Sequence, residues 1–418
     1  MSASVLAEEP PAAATVSEQA PAQPATAAAA AEDDIRAEIV PLPPVPSSKG
    51  NTSTKAAQPK TETSVKATPV QRATVSPPSA LQPPEAGYAT VLSGTLYDGL
   101  FELGPQQSPI LIRGNLIVAE DATIIIKPGA VVHLKADPKA AKPARPDVPD
   151  PSQSAVIWMW GRLVVEGATG NPVEVANLEK TPASLLLYGS AQSRIEGVRL
   201  KNVSVTQTDG VCQWTNCEYV SSPHYALAAG AALFTHCSFR NFGGVFATYN
   251  HGPWSLLLRK NVFESCREGV VLASDPGEER LIVEQNHFLN TRGAHIRLMP
   301  FAAPPADAKK ASTPDVDVFI GENWYGTAVP EEAELRLVDR RIDPSVRARL
   351  NTRPPAERPY MGVGTAVSAA VLGATLKEQQ AAVQKILLAH AAAAPAKPKA
   401  RPAEPAAMSR GVKQPKGK

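Results

Sequence analysis

Cysteine is scarce in this 418-residue chain, with four thiols in all. Cys212, Cys217, Cys237 and Cys266 form no C-x-x-C pair, which excludes zinc ribbons and related paired-thiol metal sites. No apolar run reaches the ~18 residues of a membrane-spanning helix. Aspartate is sparse in the middle of the chain: between 195 and 299 there are only Asp209 and Asp275. Hydrolysis by paired carboxylates needs two acids at a set separation, and calcium needs several oxygens together. Neither pattern recurs here, and nothing in the sequence calls for a cofactor or a metal. The seven histidines are scattered rather than clustered.

Charged residues are nearly balanced, at a formal +2, but unevenly placed. From Lys397 onward, Lys399, Arg401, Arg410, Lys413, Lys416 and Lys418 face a single Glu404. A basic tail of this kind is either a solvated end or a contact for polyanions. No basic stripe interleaved with aromatics accompanies it, so nucleic acid is not an expected partner of the folded part. Residues 1–87 are dominated by Ala, Pro, Thr, Ser, Glu and Lys without apolar periodicity, and 393–418 are similar. Such composition buries too little apolar surface to offset ordering entropy, and both tails are expected to be disordered. IRAEIVPLPPVP (35–46) is the one apolar patch of the N-terminal tail, either a docking motif or chance clustering.

What the chain does have is a repeated phrase: GVRLKN (197–202), TNCEYVS (215–221), THCSFRN (235–241), KNVFES (260–265), QNHFLN (285–290) and ENWYGT (322–327). Its apolar position falls at Leu200, Tyr219, Phe239, Phe263, Phe288 and Tyr325, in steps of 19, 20, 24, 25 and 37 residues. The last step contains a Pro/Ala-rich excursion, 300–315, and another proline-rich excursion occupies 136–154. Recurrence at this period is the mark of a solenoid whose coils bury their apolar faces on one another. The alternation within the phrase has period 2, so each copy is strand and turn. Stacking produces an aromatic-rich internal column through those six residues. Val198, Cys217, Cys237, Asn261, Asn286 and Asn323 make a second column. Asn202, Ser221, Asn241, Ser265, Asn290 and Thr327 make a polar column suited to bends. Cys217 and Cys237 then lie on adjacent coils, as core thiols or, geometry permitting, a disulfide.

Upstream, GNLIVAEDATIIIKPGAVVHLK (114–135) alternates in the same way. Gly114, Leu116, Val118, Ala122, Ile124, Ile126, Pro128, Gly129 and Val132 follow a G-x-L-x-V…P-G-x-x-V opening, and Asn323, Trp324, Gly326 and Thr327 an N-W-x-G-T close. With these motifs, residues 88–345 resemble the right-handed parallel β-helix repeat proteins of bacteria, the pectate-lyase-like fold. The resemblance implies an all-β, right-handed parallel β-helix and an exported protein of the periplasm, outer surface or extracellular space; a cytoplasmic protein fits the sequence too. It says little of function, because one scaffold serves lyases, hydrolases, epimerases, adhesins and structural proteins.

Beyond the solenoid, 346–362 reads as a linker and 363–392 as an amphipathic helix with Val371, Leu372, Leu376, Val383, Ile386 and Leu387 on its apolar side. Three uses fit that helix: a cap over the open end of the stack, a surface for self-association or a partner, and a membrane-surface contact.

One flank of the later coils gathers cationic and aromatic residues. Arg267 and Arg292 each follow the column aromatic by four residues and should stack. His295 and Arg297 alternate onto one side beyond them, with Tyr249 and His251 on the preceding coil. Such a strip suits an acidic polysaccharide. A solvated face with local ion pairs is the plainer reading, with Glu264, Glu268 and Asp275 as the balancing acids. The sequence therefore favours a non-enzymatic envelope or surface binding and structural module. The alternatives are a lyase or epimerase acting on acidic glycan, and an intracellular scaffold that assembles through its tails. Of the D-P-H-D phrase found in epimerase relatives, Ser222-Pro223-His224-Tyr225 is a poor echo.

Overall fold

Among the described residues, nine non-glycine residues have positive φ, and their spacing sets the fold. Asn216, His236, Lys260 and Gln285 are each followed five positions later by Ser221, Asn241, Ser265 and Asn290. Gly197 and Asn202 do the same one coil earlier. Between each of the four later pairs lies a three-residue strand: Glu218–Val220, Ser238–Arg240, Val262–Glu264 and His287–Leu289. A left-handed residue turns the chain sharply, and Asn and Ser tolerate that conformation because their short side chains bond the local backbone. The polar column expected at bends is thus one of two columns of corners.

The structure, a computed structural model, describes residues 80–393 apart from Pro84, 143–148, 189–191, 248–252, 274–279, 300–315, Arg347 and Ala366. Residues 1–79 and 394–418 of the two tails, the 300–315 excursion, Tyr249 and His251 lie outside these residues. The excursion at 136–154 leaves and returns at one point, where the Asp137 N–H donates to Pro151 O at 2.8 Å.

The strands form a parallel β-helix with three faces. The first face stacks Val131–Lys135, Val173–Asn177, Val198–Lys201 and the three-residue strands above, in parallel register. The second stacks Ala155–Met159, Ala183–Leu187, Ser204–Gln207, Tyr225–Leu227, Val245–Ala247, Val270–Ala273 and Ile296–Met299. The third stacks Arg162–Glu166, Gln192–Glu196, Val211–Thr215, Gly230–Thr235, Trp254–Arg259 and Leu281–Glu284. Two long strands, Thr90–Leu103 and Ile110–Ile126, run round the first coils with register shifts at the corners. Leu81–Gln82 adds an antiparallel edge to Leu92 and Val91, so the folded part starts before residue 88.

The interior changes character along the axis. Its early coils are aliphatic, around an apolar cavity of ≈ 40 Å³ lined by Leu116, Ile157, Leu163 and their neighbours. Its later coils carry the expected aromatic column, stacked ring on ring: Tyr219–Phe239 at 4.9 Å, Phe239–Phe263 at 4.6 Å, Phe263–Phe288 at 4.9 Å and Phe288–Tyr325 at 5.5 Å. Beside it the second column becomes a buried amide ladder. Asn286 Oδ1 accepts from the backbone and side-chain nitrogens of Asn261, both at 3.0 Å. Asn323 Oδ1 does the same for Asn286, at 2.9 and 3.0 Å. Asn261, Asn286 and Asn323 are all 0% exposed, and each uses its carboxamide to satisfy backbone groups that the corner leaves without strand partners.

The C-terminal segment differs from the linker and end-cap expected of it. Ala348–Thr352 is a strand paired with Val316–Ile320. The chain then turns back along the solenoid, bonding one coil after another. The Ala356 N–H reaches Asn323 O, the Tyr360 N–H reaches His287 Nε2, the Gly364 N–H reaches Lys260 O, and the Thr365 N–H reaches Ser238 Oγ. The helix Ala369–Ala393 follows and lies on the outside of the third face, with Ile386 packed among Ala231, Leu233 and Leu257. It covers a side of the solenoid, not its end. Its covered stripe is Leu372, Thr375, Gln379 and Ile386, while Val371 and Leu376 are exposed. Two polar contacts explain the offset: Lys260 Nζ donates to Thr375 Oγ1 at 2.9 Å, and Thr235 Oγ1 donates to Gln379 Oε1 at 3.1 Å.

Candidate ligand-binding face

Charges on the first face are compensated by alternation. Arg199 lies between Glu174 and Glu218, at 3.2 and 2.7 Å, and Arg240 between Glu218 and Glu264, at 3.3 and 3.4 Å. A ladder of alternating sign offers a polyanion little net attraction. At the corner between the first and second faces, the balance changes.

Arg267 and Arg292 are both exposed there on adjacent coils, placed by the Arg292 N–H on Cys266 O and the Gly293 N–H on Arg267 O, both 2.8 Å. The expected stacking of these two residues is present. The acids expected to balance them are engaged elsewhere: Glu264 with Arg240, and Glu268 with Arg297 at 3.2 Å. Asp275 lies outside the described residues. Glu268 also accepts the Ala294 N–H at 2.9 Å. Arg336, which sequence reasoning missed, brackets Arg292 by donating to the carbonyls of Thr291 and Gly293. Of the four arginines at this corner, Arg297 pairs with Glu268, Arg336 bonds backbone carbonyls, and Arg267 and Arg292 pair with no acid among the described residues.

His295 does not join this strip. Alternation fails there because the residue sits in the corner before its strand, which starts at Ile296. Its ring is 3% exposed, stacks on Tyr325 at 5.5 Å, and bonds Thr291 Oγ1 at 2.6 Å. Burial first, and then the nearby Arg336, push its pKa down to about 4. Arg297 does point outward, in register with Val271, but its charge is held by Glu268.

All four cysteines are free and buried, so they are core thiols, not a disulfide. Burial raises the thiols of Cys212, Cys237 and Cys266, the last up to about 12. Tyr225 of the Ser222–Tyr225 phrase belongs to the core, where its hydroxyl accepts from Trp214 Nε1 at 3.3 Å and donates to Gln207 Oε1 at 2.5 Å. Among the described residues, no three His, Cys, Asp or Glu side chains converge on a common point.

A second cluster on the second face went unnoticed in the sequence. Trp158 and Trp160 flank Met159, and Tyr188 lies on the next coil. Tyr188 stacks on Trp160 at 4.6 Å with 21° between planes, and on Trp158 at 5.6 Å with 12°. All three rings are half-buried. The signal was present in AVIWMW (155–160): Ile157 and Met159 go inward, so 158 and 160 must face out together.

Comparisons with family models, with curated proteins and with solved structures return no match to this chain. Fold and side-chain chemistry carry the functional argument.

Proposed function

We propose that this chain is a non-enzymatic binding and structural module, of the pectate-lyase-like β-helix kind, exported to the cell envelope or surface, where it recognises acidic polysaccharide. The observation that carries the reading is the pair Arg267 and Arg292, exposed on adjacent coils with no acidic partner among the described residues, beside a face whose own charges alternate. A guanidinium fork matches a uronate carboxylate in bidentate geometry, and its charge is permanent. Repetition at the coil spacing of about 4.8 Å lets neighbouring forks engage one anionic chain.

The test is binding of the full chain to polygalacturonate and to a neutral glucan over a salt series. The expected result is binding to the acidic polymer that weakens as salt rises and is lost in an Arg267→Ala/Arg292→Ala double variant. Salt-independent binding, or a double variant that binds like the parent, would refute the reading and turn the search to protein partners.

A further inference from the structure

The aromatic cluster lies on a different part of the second face from the arginine corner, and its chemistry differs. We infer that Trp158, Tyr188 and Trp160 form a separate subsite for neutral pyranose units of a linear glycan.

Trp158 is set on the strand Ala155–Met159, and Trp160 and Tyr188 directly follow the ends of that strand and of Ala183–Leu187, so their placement is tied to the stack before any ligand arrives. Trp158 is in register with Leu186 on the next coil, and the Tyr188 N–H donates to Met159 O at 2.7 Å, so the phenol is anchored beside both indoles. Stacked on one another, the rings cover part of each other's faces and leave a continuous, part-exposed apolar flank against which the C–H face of a pyranose can lie. Such contact removes apolar area from water on both partners and needs no charge. A protein core would bury these rings fully. Here each remains partly exposed, although the residues between them, Met159 and Leu187, are buried.

Polar groups at the rim suit hydroxyls. On the other side of Tyr188 a cleft of ≈ 10 Å³, walled by Ser193, Gln207 and Asp209, has room for a hydroxyl-sized group. Asp209 is exposed, with Oδ1 accepting the Gly210 N–H at 2.7 Å. An exposed carboxylate repels uronates and accepts from sugar hydroxyls, so this end of the face selects neutral units. The coil of Tyr188 is four ladder steps from that of Arg267, or about 19 Å at the strand spacing. The two sites are therefore far enough apart to be tested independently.

The experiment titrates the full chain with cello-, chito-, manno- and xylo-hexaose, and separately with a galacturonate hexamer, following tryptophan emission. Trp214 and Trp254 are buried in the core and Trp324 is part-exposed on a later coil, so a shift that persists in Trp324→Phe reports on Trp158 and Trp160. At least one neutral hexamer is expected to bind at millimolar affinity or tighter, the range of order 4 kcal/mol or more, without salt dependence. A Trp160→Ala/Tyr188→Ala variant should weaken it by roughly tenfold or more, of the size expected for two lost ring contacts. Arg267→Ala/Arg292→Ala should leave neutral binding unchanged. If the aromatic double variant loses its cooperative melt, Trp160→Leu replaces it and should show the same direction of loss. No emission change with any neutral hexamer, or aromatic variants that bind like the parent, would overturn the subsite. Acidic-hexamer binding that survives in those variants would still support the arginine corner.

Discussion

At the scale of single residues, the chain is held by side chains that replace missing backbone partners. Asn286 is the clearest. Its carbonyl oxygen accepts two donors from Asn261, and its amide donates to Leu258 O at 2.9 Å and to Asn323 Oδ1 at 3.0 Å. An Asn286→Ala substitution takes the acceptor from the buried Asn261 N–H and from one Asn261 side-chain N–H, and removes one donor each from Leu258 O and Asn323 Oδ1, the latter still accepting the Asn286 N–H. An unsatisfied buried group costs about 1–3 kcal/mol, so the substitution should cost roughly 3 kcal/mol or more. Urea unfolding should show a lower midpoint with an unchanged slope. A loss below about 1 kcal/mol would mean that water or backbone relaxation replaces the ladder. Cys217 and Cys237, in the same column, donate only weakly through sulfur, and their replacement by Ala should cost less.

At the scale of elements, the C-terminal helix shows what a sequence can and cannot disclose. Ile386 is 0% exposed against Leu233 and Leu257, whereas Leu388 is 63% exposed. Ile386→Asp should release the helix from the third face and open it to limited proteolysis, while Leu388→Asp should leave cleavage unchanged. Equal resistance in both variants would mean that the helix is held by Lys260, Thr375 and Gln379 alone. The aromatic column and one of the two corner columns were legible because each repeat states similar residues at the same place; the other, Asn216, His236, Lys260 and Gln285, was not, because its residue types differ from coil to coil. The face chosen by the helix was not, because an alanine-rich helix has little apolar contrast and Thr375 and Gln379 do half the docking through hydrogen bonds. A clue lay on the partner. Gly230–Thr235 and Leu256–Leu258 are apolar at outward as well as inward positions, which a strand needs only when both of its faces are covered. At the arginine corner, the stacking of Arg267 with Arg292 followed from the repeat. The burial of His295 did not, because the corner interrupts the alternation that placed it.

At the scale of the whole molecule, neutral histidines distributed along the stack tie stability to pH. His236, on the coil where the returning segment docks, is 0% exposed, and burial with a smaller contribution from Lys260 lowers its pKa to about 4. His295 is lowered to about 4 as well, and His287, which accepts the Tyr360 N–H, is lowered by burial. In the unfolded chain each takes a proton near pH 6.5. Between about 6.5 and about 4 the unfolded state therefore binds more protons than the folded one, and stability falls as pH falls through that window. A shift from 6.5 to about 4 corresponds to roughly 3 kcal/mol for a fully buried ring, at 1.36 kcal/mol per unit. Asp339 acts in a separate window. Desolvation raises its pKa, but Arg341 and the Leu350 N–H outweigh that and lower it, so its stabilisation is present above ~3.9 and lost only at more acidic pH. Urea midpoints measured from pH 7.5 to 4.5 should fall steadily below about 6.5, before the carboxylates titrate. His295→Phe, which keeps a ring against Tyr325, should flatten that slope by about one proton while lowering stability at pH 7 only modestly. A parent midpoint that stays level across this range would show that the three rings take up protons in the folded state, and that the returning segment opens without unfolding the solenoid beneath it.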